Sequence, residues 1–146
     1  MYRTDMKTNK FSKVNDFERG TWINMVNPNE GEIEEICEKL KIDSEFIKYP
    51  LDYEEKARID KEDDVTLFII DVPIIEEKEE KKLYTTMPLG MIVVKDDFFI
   101  TVSLQETSII KDFEKGKIKN FYTYKKTRFI LQILFIFLFT FVFYYS

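Results

Sequence analysis

Short stretches of alternating or continuous apolar residues predict the strands of this chain. Residues 21–26 alternate between apolar and polar side chains and predict a strand. Residues 65–72 and 89–94 are apolar on both faces and rich in β-branched side chains, which is typical of central strands covered on both sides. Residues 98–102 follow after a short turn, so 89–103 predicts a hairpin.

After the first of these strands, apolar residues recur at the spacing of an α-helix. Four apolar residues predict one buried stripe on a helix that ends near residue 40: Ile33, Ile36, Cys37 and Leu40. Asn27 is predicted to cap this helix, with Pro28 in the first helical position and Glu30 closing a variant of the capping box. On this stripe Cys37 is expected to be a packed thiol rather than a reactive one.

Shorter helices are predicted further along the chain. Asp43 and Ser44 cap a short helix that ends before Pro50, because proline lacks an amide hydrogen and disfavours a helical residue before it. Another helix begins at 107–108. A last helix begins near 122–126 and continues into the C-terminal tail.

The polar stretches between these elements predict turns and loops. Residues 76–82 contain no apolar side chain and predict a solvated loop between two strands, 52–56 a charged loop, and 95–97 a tight turn. Weaker patterns predict short strands at 57–60 and within 1–20. The order of elements indicates an α/β fold of the α+β kind, with a mixed, mostly antiparallel sheet flanked by helices and a C-terminal apolar helix.

Composition restricts the chemistry of the chain. Its 146 residues predict an α/β domain over 1–121 and a C-terminal helix with an apolar tail over 122–146. A formal net charge of -5 does not favour nucleic acid as a partner. The absence of histidine and the single cysteine, Cys37, argue against Ser-His-Asp or Cys-His catalysis and against a structural zinc site. With four scattered glycines there is no phosphate-binding loop, so the chain is not expected to be an enzyme.

The C-terminal tail, residues 129–145, has no charged side chain. As a helix it is about 25 Å long, slightly short of a bilayer core of about 30 Å. Lys125, Lys126 and Arg128 precede it, which predicts a membrane segment with residues 1–128 on the cytoplasmic side. Two other interpretations stay open: a helix packed within the fold, or the end of a truncated or frameshifted reading frame.

Six segments in a fixed order carry a family resemblance. They are W-I-N-M-V-N-P at 22–28, the acidic helix after it, the segment 42–60, L-Y-T-T-M-P-L-G at 83–90, the segment 95–102, and K-T-R-F-I-L-Q at 126–132. Their order is more specific than any one segment. Together they resemble the N-terminal cytosolic domain of the CorA family of magnesium and cobalt transporters.

The resemblance implies a cytosolic α/β domain within a homopentamer at the cell membrane. It implies regulatory Mg²⁺ bound between neighbouring domains by carboxylates, and the loss of this metal favours opening. Mg²⁺ keeps several of its waters, so one or two carboxylates suffice. It also implies two transmembrane helices and a Gly-Met-Asn loop, which this sequence lacks. The chain is therefore expected to be a fragment that does not conduct ions alone.

The sequence departs from the family pattern at the expected metal site. Tyr49 stands where the family usually has aspartate, and Asp52, Glu54 and Glu55 are the nearby candidate ligands for Mg²⁺. The interpretation of these three residues as ordinary solvated loop carboxylates stays open. The alternative function is a single-pass, membrane-tethered binding protein without transport activity. An acidic metal-dependent hydrolase is a third hypothesis, which no clustered ligand motif supports.

Overall fold

A computed structural model describes the backbone of residues 1–95 and 97–145, and their side chains except those of 75–78, 82–84 and 140–145. The strands of this part are β1 (Tyr2–Thr4), β2 (Phe11–Lys13), β3 (Thr21–Val26), β4 (Arg58–Glu62), β5 (Val65–Lys78), β6 (Lys81–Val94) and β7 (Phe98–Ser103). The α-helices are α1 (Glu30–Leu40), α2 (Glu45–Lys48), α3 (Ser108–Glu114) and α4 (Lys126–Tyr145).

The strands form one seven-stranded sheet with the order β2-β1-β3-β7-β6-β5-β4. Neighbouring strands are antiparallel except β3 and β7, which are parallel. This confirms the predicted mixed, mostly antiparallel sheet with flanking helices and the hairpin at 89–103. The predicted strand at 57–60 is β4, and 1–20 contains β1 and β2. Asp96, in the predicted turn at 95–97, lies outside the described residues.

The prediction of a solvated loop at 76–82 is wrong, because β5 and β6 continue through it as a paired ribbon. Lys78 pairs with Lys81, and only Glu79 and Glu80 form the turn. Both glutamates have positive φ, 50° and 64°, as the favoured two-residue hairpin turns require. Polar residues suit this position because the ribbon extends beyond the pairing with β4 and β7, where backbone hydrogen bonds hold it.

The caps of two helices are formed by side chains just before them. Asn29, rather than the predicted Asn27, caps α1: its side chain accepts a 2.8 Å hydrogen bond from the Glu32 amide. Glu32 in turn accepts a 3.2 Å bond from the Asn29 amide, which completes a capping box. Asn27 has a φ of 44° and belongs to the turn after β3. The predicted helix start at 107–108 is confirmed: Thr107 caps α3 by accepting a 3.0 Å hydrogen bond from the Ile110 amide.

Helix α2 ends at Lys48, before Pro50, as predicted, but helical backbone continues beyond it. One turn of 3₁₀ helix, Tyr49–Leu51, follows α2, and Tyr49 has helical φ and ψ of -53° and -49°. Pro50 lies in the first turn of this 3₁₀ helix, where an amide hydrogen needs no partner. Its ring packs against Gly90 of β6, where a Cβ atom would lie 2.2 Å from Pro50 Cγ. Glycine at position 90 therefore gives the 3₁₀ turn room to contact the sheet.

Two clusters of buried side chains cover the two faces of the sheet. On one face, α1 and α2 contribute Ile33, Ile36, Leu40, Phe46 and Ile47, which confirms the predicted apolar stripe. Cys37 is only half-buried at the border of this cluster, and burial raises the pKa of its thiol. On the other face, α3 and α4 pack against an aromatic group that contains Trp22, Phe99 and Phe121.

Helix α4 has one buried and one exposed face among its described side chains. Its buried residues are Phe129, Ile130, Ile133 and Phe137. Its exposed large apolar residues are Leu131, Phe135, Leu138 and Phe139. Among the described residues, no helix combines the length and the apolar character needed to cross a membrane. Because residues 140–146 lie outside the described side chains, the predicted membrane segment stays a prediction.

Candidate functional site

An acidic segment, residues 52–57, contains all three carboxylates that the sequence suggested as metal ligands. It connects the 3₁₀ turn with the edge strand β4. The contact of Pro50 with Gly90 holds one end of the segment, and the pairing of β4 with β5 holds the other. The fold therefore sets the position of this segment although it has no regular secondary structure of its own.

Asp52 shapes the segment through its own backbone. Its Oδ1 atom accepts a 2.9 Å hydrogen bond from the Glu54 amide, and its carbonyl accepts a 3.1 Å bond from the Glu55 amide. This arrangement is an Asx turn. Both Asp52 and Glu54 are exposed. Because an ionised carboxylate offers roughly four acceptor positions, the turn uses only part of the capacity of Asp52.

Glu55 is paired with a cation of the same chain. Arg58 donates from Nη1 to Glu55 and from Nε to Asp60 Oδ2, the latter at 2.7 Å. Arg58 and Asp60 stand two positions apart on β4, so their side chains share one face of the strand. The guanidinium thus neutralises two carboxylates, one of which is a predicted metal ligand.

Tyr49 packs against the same guanidinium. The Arg58 Cζ atom lies 4.8 Å from the centre of the Tyr49 ring, a cation–π contact. The Tyr49 hydroxyl donates a 2.7 Å hydrogen bond to Glu45 Oε2, and this bond raises the pKa of Tyr49 because the nearby carboxylate disfavours a phenolate. At the position where a metal-binding aspartate was expected, this chain therefore has a ring that holds an arginine.

The described residues contain no group of three or more histidine, cysteine, aspartate or glutamate side chains placed to hold a metal ion. Asp52 bonds to its own turn and Glu55 to Arg58, so the three predicted ligands do not converge within one chain. What one copy offers is a pair of exposed carboxylates, Asp52 and Glu54. Their role, with Glu55, as Mg²⁺ ligands stays a prediction.

The sequence interpretation missed Arg58 and Asp60 as parts of this site. The available signal was their spacing, since two residues that stand two positions apart on a strand lie on the same side of the sheet. A second signal was Glu55, three residues before Arg58. Gly90 gave no such signal, because its contact with Pro50 joins segments that are distant in the sequence.

Comparison with solved structures shows a shared fold. The soluble domain of CorA from Methanocaldococcus jannaschii matches with a TM-score of 0.62 and 23% sequence identity, over 77% of this chain and 44% of that one. The complete CorA magnesium transporter from the same organism matches with a TM-score of 0.64 and 20% identity, over 92% of this chain and 45% of that one. The chain thus spans less than half the length of either structure.

Comparison with protein families gives a match over most of the chain. Residues 17–144 match the sequence model of the family described as CorA-like Mg²⁺ transporter protein. A comparison with curated proteins found no match. Since the family match includes five of the seven strands, the acidic segment and nearly all of α4, the chain belongs to the CorA-like Mg²⁺ transporter family.

Proposed function

We propose that this chain acts as the cytosolic, metal-sensing domain of a transporter for Mg²⁺ or Co²⁺, and that it has no enzymatic role. The observation that carries this proposal is the family match over residues 17–144. We further propose that the chain works as one part of a larger transporter. The short span of the chain relative to the two solved CorA structures supports this.

We propose that Mg²⁺ binds between neighbouring subunits of a homopentamer through the acidic segment. Asp52 and Glu54 are exposed and are the ligands that one subunit supplies most directly, with Glu55 as the third. Facing acidic surfaces repel each other, and a shared divalent cation offsets that repulsion. Because Mg²⁺ retains part of its hydration shell, one or two carboxylates from each side are enough.

Arg58 weakens the proposed site. Its guanidinium already neutralises Glu55 and Asp60, so a divalent cation meets less negative charge than the number of acidic residues suggests. Binding of Mg²⁺ through Glu55 requires that this ion pair opens. The proposed site is therefore a weak one, which suits a sensor that releases its ion when the Mg²⁺ concentration falls.

We propose the cell membrane as the location, with residues 1–128 on its cytoplasmic side. The exposed apolar residues of α4 support a membrane contact, as do the cations Lys125 and Arg128 at its start. The same face of α4 favours a second candidate function, that of a membrane-tethered binding protein without transport activity. That alternative needs no metal, so cation binding separates the two proposals.

Thermal unfolding of the full chain in mild detergent, with and without MgCl₂ or CoCl₂, tests the proposed function. At a cation concentration about one hundred times Kd, binding adds about 2.7 kcal/mol to the free energy of unfolding, which raises Tm by several degrees. Asp52→Asn should lose most of this rise. Asp5→Asn is the matched control, because the Asp5 carboxylate, like that of Asp52, accepts hydrogen bonds from amides of its own turn, here those of Lys7 and Thr8.

Two results would count against metal sensing. A Tm that responds to neither Mg²⁺ nor Co²⁺ would contradict it and leave the membrane-tethered binding protein as the better account. Equal losses in Asp52→Asn and Asp5→Asn would show that the cations act on general surface charge rather than on the acidic segment.

A further inference from the structure

We propose that the outer face of α4 is a docking surface for an anionic lipid bilayer, on which the helix lies parallel to the membrane plane. The surface consists of Arg128, Leu131, Phe135 and Leu138. The inference rests on the membrane location in the proposed function, and it requires neither transport nor metal binding.

The exposed apolar residues form one stripe along the helix. Leu131, Phe135 and Leu138 are four and three positions apart, so they lie on the same side of α4. They are 59%, 69% and 62% exposed. Arg128 begins the stripe, and it borders a groove of about 380 Å³ together with Leu131 and Phe135. A continuous row of exposed large apolar side chains is typical of a surface that binds a protein, a membrane or a ligand.

The opposite face of α4 is already occupied by the core of the domain. Phe129 and Ile133 are fully buried and Phe137 is 4% exposed. The Phe129 ring centre lies 5.0 Å from that of Trp22 and 4.3 Å from that of Phe121. A helix perpendicular to the membrane would have to leave these contacts and expose the core to water. A helix that lies on the membrane keeps them, and this favours the parallel orientation.

Residues 115–128, which lead into α4 and include its first three residues, have the charge that an anionic surface attracts. They contain six basic residues and no acidic one: Lys115, Lys117, Lys119, Lys125, Lys126 and Arg128. The whole chain has more acidic than basic residues, 27 against 22, so this positive segment is a local exception. The Gln132 amide nitrogen lies 3.5 and 3.4 Å from the carbonyls of Lys119 and Asn120, which keeps the segment beside the start of α4.

Two tyrosines accompany the cations at this end of the stripe. Lys125 Nζ lies 4.7 Å and Arg128 Cζ 5.8 Å from the centre of the Tyr122 ring, and the Tyr124 ring is 5.8 Å from that of Tyr122. Tyrosine and basic side chains at the end of an apolar stripe are typical of a membrane–water interface. Neither Lys125 nor Arg128 forms an ion pair with a carboxylate of the described residues, so lipid headgroups can bind both.

A second copy of the chain fits this surface less well than lipid does. Pairing two copies through α4 would require acidic groups opposite the positive segment. The exposed glutamates of α1, such as Glu34, Glu35 and Glu38, lie on the other side of the sheet, away from α4. The charge distribution therefore favours an anionic lipid surface.

Co-sedimentation of the full chain with vesicles tests the surface. Binding to phosphatidylcholine–phosphatidylglycerol vesicles should be stronger than binding to phosphatidylcholine alone, and salt should weaken it. The double substitution Leu131→Ser with Phe135→Ser should weaken binding to both kinds of vesicle by about tenfold or more. Lys125→Gln with Arg128→Gln should weaken only the anionic binding, by about tenfold. Tyr53→Ser is the matched control, because Tyr53 is 54% exposed on the acidic segment.

The orientation of the helix can be measured from tryptophan depth. Trp22 is the only tryptophan and is fully buried, so its fluorescence gives a constant background. Leu131→Trp and Leu138→Trp place single reporters about 10 Å apart along the helix axis. A helix parallel to the membrane puts both at the same shallow depth, as measured by quenching with lipids brominated at different positions. A spanning helix puts them at different depths.

Each outcome separates the proposals. Unequal tryptophan depths, or resistance to carbonate extraction, would overturn the parallel orientation in favour of a spanning helix. An absence of vesicle binding would overturn the lipid surface. So would a dimer that Leu131→Ser with Phe135→Ser abolishes, because the occupant would then be a second copy of the chain. Loss of vesicle binding with an intact Mg²⁺ response would leave the proposed metal sensing in place, and the reverse result would leave only the lipid surface.

Discussion

Helices α1 and α4 pack on opposite faces of the same sheet, and they differ in what they present outward. Helix α1 exposes glutamates and one lysine: Glu30, Glu32, Glu34, Glu35, Glu38 and Lys39. Helix α4 instead exposes leucine and phenylalanine, over residues 131–139. Both bury one apolar stripe, so the inner face explains why each helix docks. The outer face then decides whether the helix is simply exposed to water or binds a further partner.

The two helices also begin differently. Helix α1 has a capping box and acidic residues in its first turn, which interact favourably with the positive end of the helix dipole. The first turn of α4 contains Lys126 and Arg128 and no acidic residue, so the same dipole opposes its charges. Local interactions thus define the start of α1, whereas α4 depends on its tertiary contacts and on whatever neutralises its cations.

The largest expected effect comes from breaking the inner face of α4. Phe129→Ala removes a fully buried ring that lies 4.8 Å from Phe99 and 5.3 Å from Phe113, and we expect it to lower the free energy of unfolding by about 3–5 kcal/mol. Phe135→Ala, at a position 69% exposed, is the matched control and should change it by less than about 0.5 kcal/mol. Urea unfolding followed by circular dichroism measures both. Equal effects of the two substitutions would show that α4 is not docked.

A smaller effect is expected from a titratable contact on the same face of the sheet. Tyr2 donates a hydrogen bond to Glu114 at the end of α3. Burial first, and then this bond, raise the pKa of Tyr2 from 10.0 to about 12. Because the folded pKa is the higher one, the contact stabilises the fold fully below pH 10 and loses this effect as the pH rises through 12.

The measurement is the free energy of unfolding across this pH window for the natural chain and for Tyr2→Phe, which cannot ionise. The natural chain should lose more stability than Tyr2→Phe between pH 10 and 12. Tyr124→Phe removes a different hydrogen-bonded hydroxyl and serves as the control. A natural chain and a Tyr2→Phe variant with the same pH dependence would contradict the role given to this contact.

The spacing of apolar residues correctly predicted the strands and the helix whose buried faces those residues form. The apolar runs of β5, β6 and β7 and the stripe of Ile33, Ile36 and Leu40 follow from side-chain spacing alone. The errors occurred where the sequence offers two local structures of similar stability. Asn27 and Asn29 are both good caps, and only the turn after β3 decides between them. The polar ribbon after residue 75 gave no apolar pattern, and its two strands pair through their backbones.

The acidic segment was visible in the sequence, but its chemistry was not. Counting carboxylates identified Asp52, Glu54 and Glu55 as candidates. The pairing of Glu55 with Arg58 depends on how the segment turns into β4, and that path is set by the contact of the 3₁₀ turn with Gly90. A tertiary contact therefore decides which carboxylates are free to bind a cation.

Cysteine accessibility along α4 tests most directly whether this helix has a buried inner face and an exposed outer face that binds a membrane. In a Cys37→Ser background, which removes the only native thiol, single cysteines replace Leu131 or Phe135 on the outer face and Ile133 or Phe137 on the inner face. Without vesicles we predict rapid maleimide labelling of the outer pair and slow labelling of the inner pair. Anionic vesicles should then protect the outer pair. Inner positions that label as fast as outer ones, or outer positions that vesicles leave unprotected, would contradict the account.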